Sequence, residues 1–302
     1  MILVGGEALY DLVPQGSAEE LRGHPGGGPF NTARTIGRLE RPVAYLGRLS
    51  TDRFGQQLES LLADDGVGLD SVVRTDEPTT LALAEVDHDG VARYRFYERG
   101  TAAPGLTPEA ALEALPDGAD IVHVGTLGLA LEPVASALEA VVERLSERAL
   151  VAVDPNCRPW VIDDADAYRS RLDRVFARTH LLKVSEEDLE YLVPGAPPVE
   201  AVRALLERGP GVGLLTRGPN GALVVTRTAE VAVPAPRAKV VDTIGAGDAF
   251  GGGFVAWWDE RGLTRENLGE IDLVVEATRF ACLVAARTCS KPGASPPYRH
   301  EL

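Results

Sequence analysis

The sequence is poor in cysteine, with Cys157, Cys282 and Cys289 as its three thiols among 302 residues. They form no C-x-x-C pair, so neither a disulfide framework nor a zinc site is expected. Cys282 and Cys289 share an expected helix, where a thiol serves as a small core residue. A reducing compartment fits this usage, and the cytoplasm is the expected location. Basic charge is also short: 30 Lys and Arg face 45 Asp and Glu, for a formal net charge of −15. Nucleic acid and anionic membranes would be repelled, so neither is an expected partner. No apolar run approaches the roughly eighteen residues that a spanning helix needs. Met1 to Gly6 enters an expected strand without a basic segment, so no secretory signal is expected. Two nucleotide motifs are missing as well. Lysine occurs only as Lys183, Lys239 and Lys291, and none follows a G-x-x-x-x-G-K-[ST] loop. The dinucleotide fingerprint G-x-G-x-x-G fails because Phe250 takes its third glycine position, late in the chain. That disfavours an NAD-dependent dehydrogenase.

What is present is an ordinary apolar content of 45% with 25% charged residues, enough for a full core. The length suits one large α/β domain with a small appendage. The most informative stretch runs from Val241 to Phe254. It reads as a strand end, a glycine turn and the start of a helix. A helix beginning there presents unpaired N–H groups and the positive end of its dipole, which together suit an anion such as phosphate. Asp248 is out of place beside a phosphate, unless it takes a proton from an attacking hydroxyl. The plainer reading is an acid favoured in a first helical turn by the dipole alone.

Asp242-Thr243-Ile244-Gly245-Ala246-Gly247-Asp248-Ala249-Phe250 resembles the C-terminal signature of the ribokinase-like, or PfkB, family of carbohydrate kinases. The remaining pattern agrees with it. Met1–Gly6, Pro42–Leu49, Ile121–Gly125, Leu150–Asp154, Leu181–Val184, Gly213–Thr216 and Ala222–Thr226 read as strands. Helices are expected at about 29–39, Phe54–Asp65, Pro133–Glu147, Ser185–Leu192, Pro198–Arg208, Ala246–Glu260 and Leu273–Thr288. Alternation of this kind implies a mostly parallel sheet with helices on both faces, ribokinase-like, in a single domain over residues 1–302. Thr79–Asp87 and Val91–Glu98 read as a hairpin with Asp89-Gly90 in its turn. With one or two strands from the Asp11–His24 stretch it would form a small β lid, built from about 11–25 and 78–98. The hairpin, with Tyr94 and Phe96 on one face of a strand and Tyr97 on the other, is expected to cover the sugar, with Tyr97 as a contact, and the lid could pair with a second subunit as a homodimer.

Ligands of such sheets sit beyond the carboxyl ends of the strands, and the resemblance assigns roles there. Asp11, otherwise a turn residue, would accept hydrogen bonds from two sugar hydroxyls. Gly26, Gly27 and Asn31, otherwise a loop opening a helix, match the G-G-x-x-x-N segment that holds the sugar. Asp154-Pro155-Asn156-Cys157-Arg158 matches a D-x-N-x-R segment, in which Arg158 and Asn156 would brace the phosphoryl group or the sugar. These segments look closer to fructokinases than to ribokinases. Lys183 and Ser185 would lie on the nucleotide side. Ser185, Glu187 and Asp188 stand where the family's N-x-x-E helps to hold Mg²⁺ through water. Ser185 is also a good N-cap, and acids in a first turn need no further role. Thr216, Gly218 and Gly221 match T-x-G-x-x-G at the nucleotide, and Cys282 stands near where adenine would lie. Asp242 and Ile244, with the tail from Arg287 to Pro297, could hold K⁺ through the backbone. Asp248 would be the base, and the N–H groups of Gly245, Ala246 and Gly247 would stabilise developing charge. The implied activity is ATP-dependent phosphorylation of a small sugar at a terminal hydroxyl, with fructose first, then 2-keto-3-deoxygluconate and ribose. A non-catalytic sugar- or nucleotide-sensing protein on the same fold is the alternative. Intact Asp248, Asp11 and Asn31 argue against it.

Overall fold

Residues 1–15, 17–86 and 92–302 are described by the structure, a computed structural model. In chain order its strands are β1 (Ile2–Gly5), β2 (Leu9–Gln15), β3 (Ser17–Gly26), β4 (Val43–Ser50), β5 (Val72–Thr75), β6 (Leu81–Val86), β7 (Ala92–Tyr97), β8 (Ile121–Gly125), β9 (Leu150–Asp154), β10 (Leu181–Ser185), β11 (Val212–Thr216), β12 (Ala222–Val225) and β13 (Glu230–Val233). The large sheet has the order β13-β12-β11-β10-β9-β8-β1-β4-β5. Its strands run parallel from β11 to β5, and β12 and β13 are antiparallel at one edge. β1, β8 and β9 are short apolar runs buried along their whole length, as parallel strands covered on both faces must be. Alternation divides their side chains between two cores. Ile2 and Val4 join one, packed by the helices Gly28–Arg38, Arg53–Asp64, Ala246–Glu260 and Ile271–Cys289. Leu3, Val122 and Val124 join the other, packed by helices that include Val134–Leu145, Ala165–Phe176 and Pro198–Leu206.

From β1 the chain moves outward to β4 and β5. It then returns to the other side of β1 as β8 and continues through β9, β10 and β11. The strand order therefore reverses between β1 and β8, and the loops leaving those two strands part to open a crevice at their carboxyl ends. The expected α/β class holds. A second sheet, β3-β2-β6-β7, lies beside the crevice. The Asp11–His24 stretch adds two strands to it, β2 and β3, paired Asp11 to His24. Tyr10 anchors this sheet to the Arg53–Asp64 helix: its hydroxyl donates to Gln57 Oε1 at 2.8 Å and its ring lies 4.7 Å from Phe54. The Asp89-Gly90 turn and the side chain of Tyr94 fall outside the described residues. Among the described residues no helix is long and apolar enough to cross a membrane.

The Ala246–Glu260 helix is walled in on all sides, and its sequence says why. Three successive glycines step round the helix by about 100° each, and each meets a different neighbour. A Cβ on Gly251 would lie 3.1 Å from His123 Nε2 of β8. One on Gly252 would lie 2.8 Å from Thr35 Cβ and 3.0 Å from the Thr32 carbonyl oxygen of the Gly28–Arg38 helix. One on Gly253 would lie 3.1 Å from Val284 Cβ of the Ile271–Cys289 helix. The N-terminus of this helix is thus fixed against the sheet and against both neighbouring helices. Sequence reading misses four elements: β5, β13 and the helices Pro108–Glu113 and Ala165–Phe176. The first three are short. In the last, Tyr168, Leu172, Val175 and Phe176 form a buried stripe behind an Asp164 cap, a signal that the sequence does carry.

Candidate active site

Gly5, Gly125, Asp154, Ser185 and Thr216 end β1, β8, β9, β10 and β11 at one rim of the sheet. A cavity of about 330 Å³ opens there. One wall is the N-terminus of the Ala246–Glu260 helix. Gly245 caps it with φ +76°, a conformation that side chains resist, and a Cβ there would lie 2.6 Å from Ala294 Cβ. Asp242 holds the turn before it, accepting from the N–H of Ile244 at 3.0 Å and of Gly293 at 2.8 Å. Ala246 donates its N–H to the Thr243 carbonyl at 3.2 Å. The N–H groups of Gly245, Gly247 and Asp248 find no acceptor among the described residues. The expected trio therefore shifts: Ala246 is spoken for, and Gly245, Gly247 and Asp248 are left to bind an anion.

Asp248 stands in the first turn of that helix and faces the cavity. Its Oδ2 accepts from Asn31 Nδ2 at 2.8 Å. Asn31 comes from the first turn of the Gly28–Arg38 helix, and its Oδ1 is buried with no donor. Burial raises the Asp248 carboxyl, while the Asn31 hydrogen bond and the Lys183 and Arg158 charges oppose that rise. Asp11 shares the cavity and is pushed up to about 6, first by burial and then by the Asp248 charge. Gly26 makes room for it, since a Cβ there would meet Asp11 Oδ2 at 2.2 Å. The cations lie on the helix side. Lys183 Nζ would be 3.1 Å from a Cβ on Gly247, and it donates to the buried Asp154 Oδ2 at 2.7 Å. Burial acts against the Lys183 ammonium, but Asp154, Asp188 and Asp248 outweigh it and raise its pKa. Arg158 spends one nitrogen on its own loop, donating to the carbonyls of Asn156 at 3.0 Å and Cys157 at 3.1 Å, and its guanidinium lies over Trp160. An acidic sugar-sized end thus adjoins a basic end rich in N–H donors, with Asp248 at their junction. Such a layout can deprotonate a hydroxyl and stabilise a phosphoryl group in one pocket.

Residues 1–301 match the pfkB family carbohydrate kinases. The chain belongs to that family. This kinase is similar to the fructokinase of Rhizobium leguminosarum bv. trifolii, 34% identical over 259 residues, with 85% of this chain and 79% of that protein covered. Its fold matches the ATP-bound fructokinase of Xylella fastidiosa with a TM-score of 0.88 at 29% identity, covering 97% and 93% of the two chains. It also matches a fructokinase of Vibrio cholerae O395 in a fructose-, ADP- and calcium-bound form, with a TM-score of 0.85 at 25% identity and 97% and 94% coverage.

Within the kinase, the cavity gathers Asp11, Gly27, Asn31, Asn156, Arg158, Lys183, Ile244, Gly245, Gly247 and Asp248 from separate parts of the chain. Tyr97 is not among them: it is 52% exposed, and Phe96 lines the cavity instead. Strand register is the reason, because Asp11 pairs with Ala82 and Ala82 with Phe96, so these three share a face and Tyr97 takes the other. Cys282 lies in the core at 4% exposure, and burial raises its thiol to about 11, so it acts as an apolar side chain. Asp188 closes a capping box. Its Oδ2 accepts from the backbone N–H and the hydroxyl of Ser185, both at 2.8 Å, and its Oδ1 from the Cys157 N–H at 2.6 Å. Both oxygens are engaged, Glu187 is exposed, and no metal-holding group of His, Cys, Asp and Glu exists among the described residues. Thr216 donates to the Val184 carbonyl at 3.3 Å, and Gly218 and Gly221 form the turn after β11, beyond the cavity but on the same rim. Sequence reasoning places Phe96 on the lid strand without choosing it over Tyr97, and it overlooks Glu7 and Thr126, which line the cavity, and the buried Asp154 under Lys183.

Proposed function

We propose that this kinase transfers the γ-phosphoryl group of ATP to a terminal hydroxyl of fructose. The observation that carries the reading is Asp248, a carboxylate at an anion-binding helix N-terminus, held by Asn31 and sharing one cavity with Asp11. Fructose would lie between Asp11, the Gly27 turn and Asn31, whose unpartnered Oδ1 suits a hydroxyl donor. Asp248 accepts the proton of the attacking hydroxyl. The N–H groups of Gly245, Gly247 and Asp248, with Lys183 and Arg158, take up charge on the phosphoryl oxygens. Closure of the second sheet would exclude water, the competing acceptor. The carboxylates at the sugar end favour a neutral sugar over an acid such as 2-keto-3-deoxygluconate.

ATP would lie along the rim formed by Ser185, Thr216 to Gly221 and Gly245. The chain offers no cage for Mg²⁺ among the described residues, because the Asp188 oxygens are already hydrogen-bonded. A magnesium ion would arrive on the ATP phosphates. A monovalent cation such as K⁺ fits better, since the carbonyl oxygens of Asp242 and Ile244 receive no hydrogen bond among the described residues. Three free thiols agree with a cytoplasmic setting. The exposed Tyr97 on edge strand β7 supports pairing of two lids into a homodimer, and sedimentation showing only monomer at micromolar concentration would end that reading.

A coupled assay of ADP release across fructose, ribose, other ketoses and keto-deoxy acids tests the function. Fructose should give the highest kcat/KM. ATP binding with no sugar-stimulated turnover would point instead to a sensor.

A further inference from the structure

Glu7 follows β1, two residues beyond its last position, and is only 3% exposed. A carboxylate so buried needs a full set of donors, and the structure supplies them from two distant segments. Oε1 accepts from the Gly28 N–H at 3.2 Å and from the Thr126 hydroxyl. Oε2 accepts from the Gly128 N–H at 3.0 Å. Gly28 opens the Gly28–Arg38 helix, whose own N-cap, Gly27, offers no side-chain hydrogen bond. Glu7 therefore caps that helix from the connection between β1 and β2, where its charge also complements the dipole. Thr126 and Gly128 belong to the turn that leaves β8. Thr126 holds φ +54°, a left-handed conformation that a β-branched residue adopts only when its surroundings enforce it. Glu7 thus joins the two lips of the crevice where the strand order reverses.

Both lips close on the base. A Cβ on Gly28 would lie 2.5 Å from Thr126 Cγ2 and 3.2 Å from Asp248 Oδ1. One turn further along the same helix, Asn31 donates to Asp248 Oδ2. The path runs from the Glu7 carboxylate to Gly28, against which Thr126 packs, and from Gly28 to Asp248 Oδ1 and along the same helix through Asn31 to Asp248 Oδ2. We propose that Glu7 is a positioning residue for phosphoryl transfer, which sets the placement of Asn31 and Asp248 by clamping the first turn of the Gly28–Arg38 helix to the turn after β8. It rests on the kinase reading and adds a residue to it. Burial pushes Glu7 up to about 7, and its hydrogen-bond donors pull the other way, so the clamp is sensitive to its neighbours.

The test is Glu7→Gln, assayed with ATP and whichever sugar the wild-type enzyme accepts. The amide has one acceptor oxygen, so its nitrogen must face an N–H or lose Gly128 or Gly28. A misplacement near 1 Å at the reacting groups costs about a hundredfold, so kcat should fall by roughly tenfold to a hundredfold. The KM for ATP should stay near wild type, and the sugar KM should rise by less than kcat falls, since the shift reaches the sugar only through the Gly27 to Asn31 segment while Asp11 stays in place. Thr126→Val should lower kcat in the same way, and the double variant should lose no more than Glu7→Gln alone. If Glu7→Gln does not fold, Thr126→Val carries the test, because it keeps the carboxyl and both backbone donors. Wild-type kcat in either variant, a loss confined to the KM for ATP, or fully additive losses in the double variant would overturn the proposal. Failure of fructose as a substrate counts against the function proposed above and leaves this variant-to-wild-type ratio measurable with another sugar.

Discussion

Replacing Asp248 with Asn separates a base from a helix-start acid. The substitution is nearly isosteric. Its carbonyl oxygen can take the place of Oδ2 and keep the 2.8 Å hydrogen bond from Asn31, while its NH₂ turns toward the cavity. The helix start is unchanged, because Gly245 and its φ of +76° are untouched. What is lost is the ability to accept a proton. Loss of a general base costs about 10²–10⁴ in rate, or about 2.7–5.5 kcal/mol of barrier. Residual turnover would come from Lys183 and from the same three backbone N–H groups at the helix start, which the substitution leaves in place. Stability should hold or rise, since burial already disfavours the Asp248 charge and Lys183 keeps Asp154 as its partner at 2.7 Å. ATP binding should tighten, because one negative charge next to the phosphate site is gone. An acid that serves the dipole alone predicts the reverse pattern: a lower melting temperature and a near-normal kcat. Steady-state kinetics and thermal melting on one preparation decide between them. A variant that keeps more than about a tenth of wild-type kcat falls outside the range for a lost base and refutes the assignment.

Asp11→Ala should cut kcat/KM for the sugar by roughly tenfold to a hundredfold, the equivalent of about 1.5–3 kcal/mol for a charge-assisted hydrogen bond, with the KM for ATP unchanged. Unaltered sugar kinetics would reduce Asp11 to a lid residue. Gly252→Ala should destabilise the fold by about 1–3 kcal/mol through overpacking, because its Cβ would press on Thr35 and the Thr32 carbonyl. A melting temperature at or above wild type would contradict the packing argument. The melting temperature should also fall as pH rises from about 5 to 8. Burial pushes Glu7 to about 7 and Asp11 to about 6, so the folded protein keeps protons that the unfolded chain sheds above about pH 4.5, and that stability disappears as pH passes those values. Asp154, also near 6 and raised first by burial, acts in the same sense. His123, pushed down by burial to about 4, and His180, also lowered first by burial, act oppositely and are outnumbered. A melting temperature that climbs steadily over this range would reject the reading.

The parts of the site legible in the sequence are those written in one continuous stretch. Thr243 to Phe250 encodes a turn, a helix start and an acid side by side, so its chemistry can be reasoned without the fold. Asn31 is legible because it sits at a helix start; Asp11 is legible only through the resemblance, since it lies inside β2 and not just past the end of β1. Glu7 is not, since its partners lie 21, 119 and 121 residues away and nothing local marks it as buried. Phe96 and Tyr97 show a different limit. Period-two alternation says that they face opposite ways, but only the register through Ala82 to Asp11 says which faces the cavity. Asp188 fails in the other direction. The plain reading of Ser185 and Asp188 as a helix cap is available from spacing alone, and the structure uses both residues that way.

The glycine triplet shows how the fold makes a local liability serve the chemistry. Each helical glycine is less favourable than alanine by about 0.5–1 kcal/mol, and Gly251, Gly252 and Gly253 follow one another. Propensity alone would call this a weak helix. Yet the segment is buried, and each missing Cβ admits a different neighbour to close contact. The helix therefore cannot slide or rotate without striking β8, the Gly28–Arg38 helix or the Ile271–Cys289 helix. Asp248 lies one turn N-terminal to that contact zone, and Asn31 lies one turn before Thr35 on the facing helix. The contact of Gly252 with Thr35 and the Asn31–Asp248 hydrogen bond are thus two rungs of one helix pair. Close approach at the lower rung fixes the distance at the upper one. A conflict between local propensity and tertiary structure falls where precise placement of a base is needed, and it links the Gly252→Ala melt to the Asp248→Asn rate. If the rungs are coupled, Gly252→Ala must lower kcat in the protein that remains folded, and normal turnover per folded molecule would mean the triplet serves packing alone.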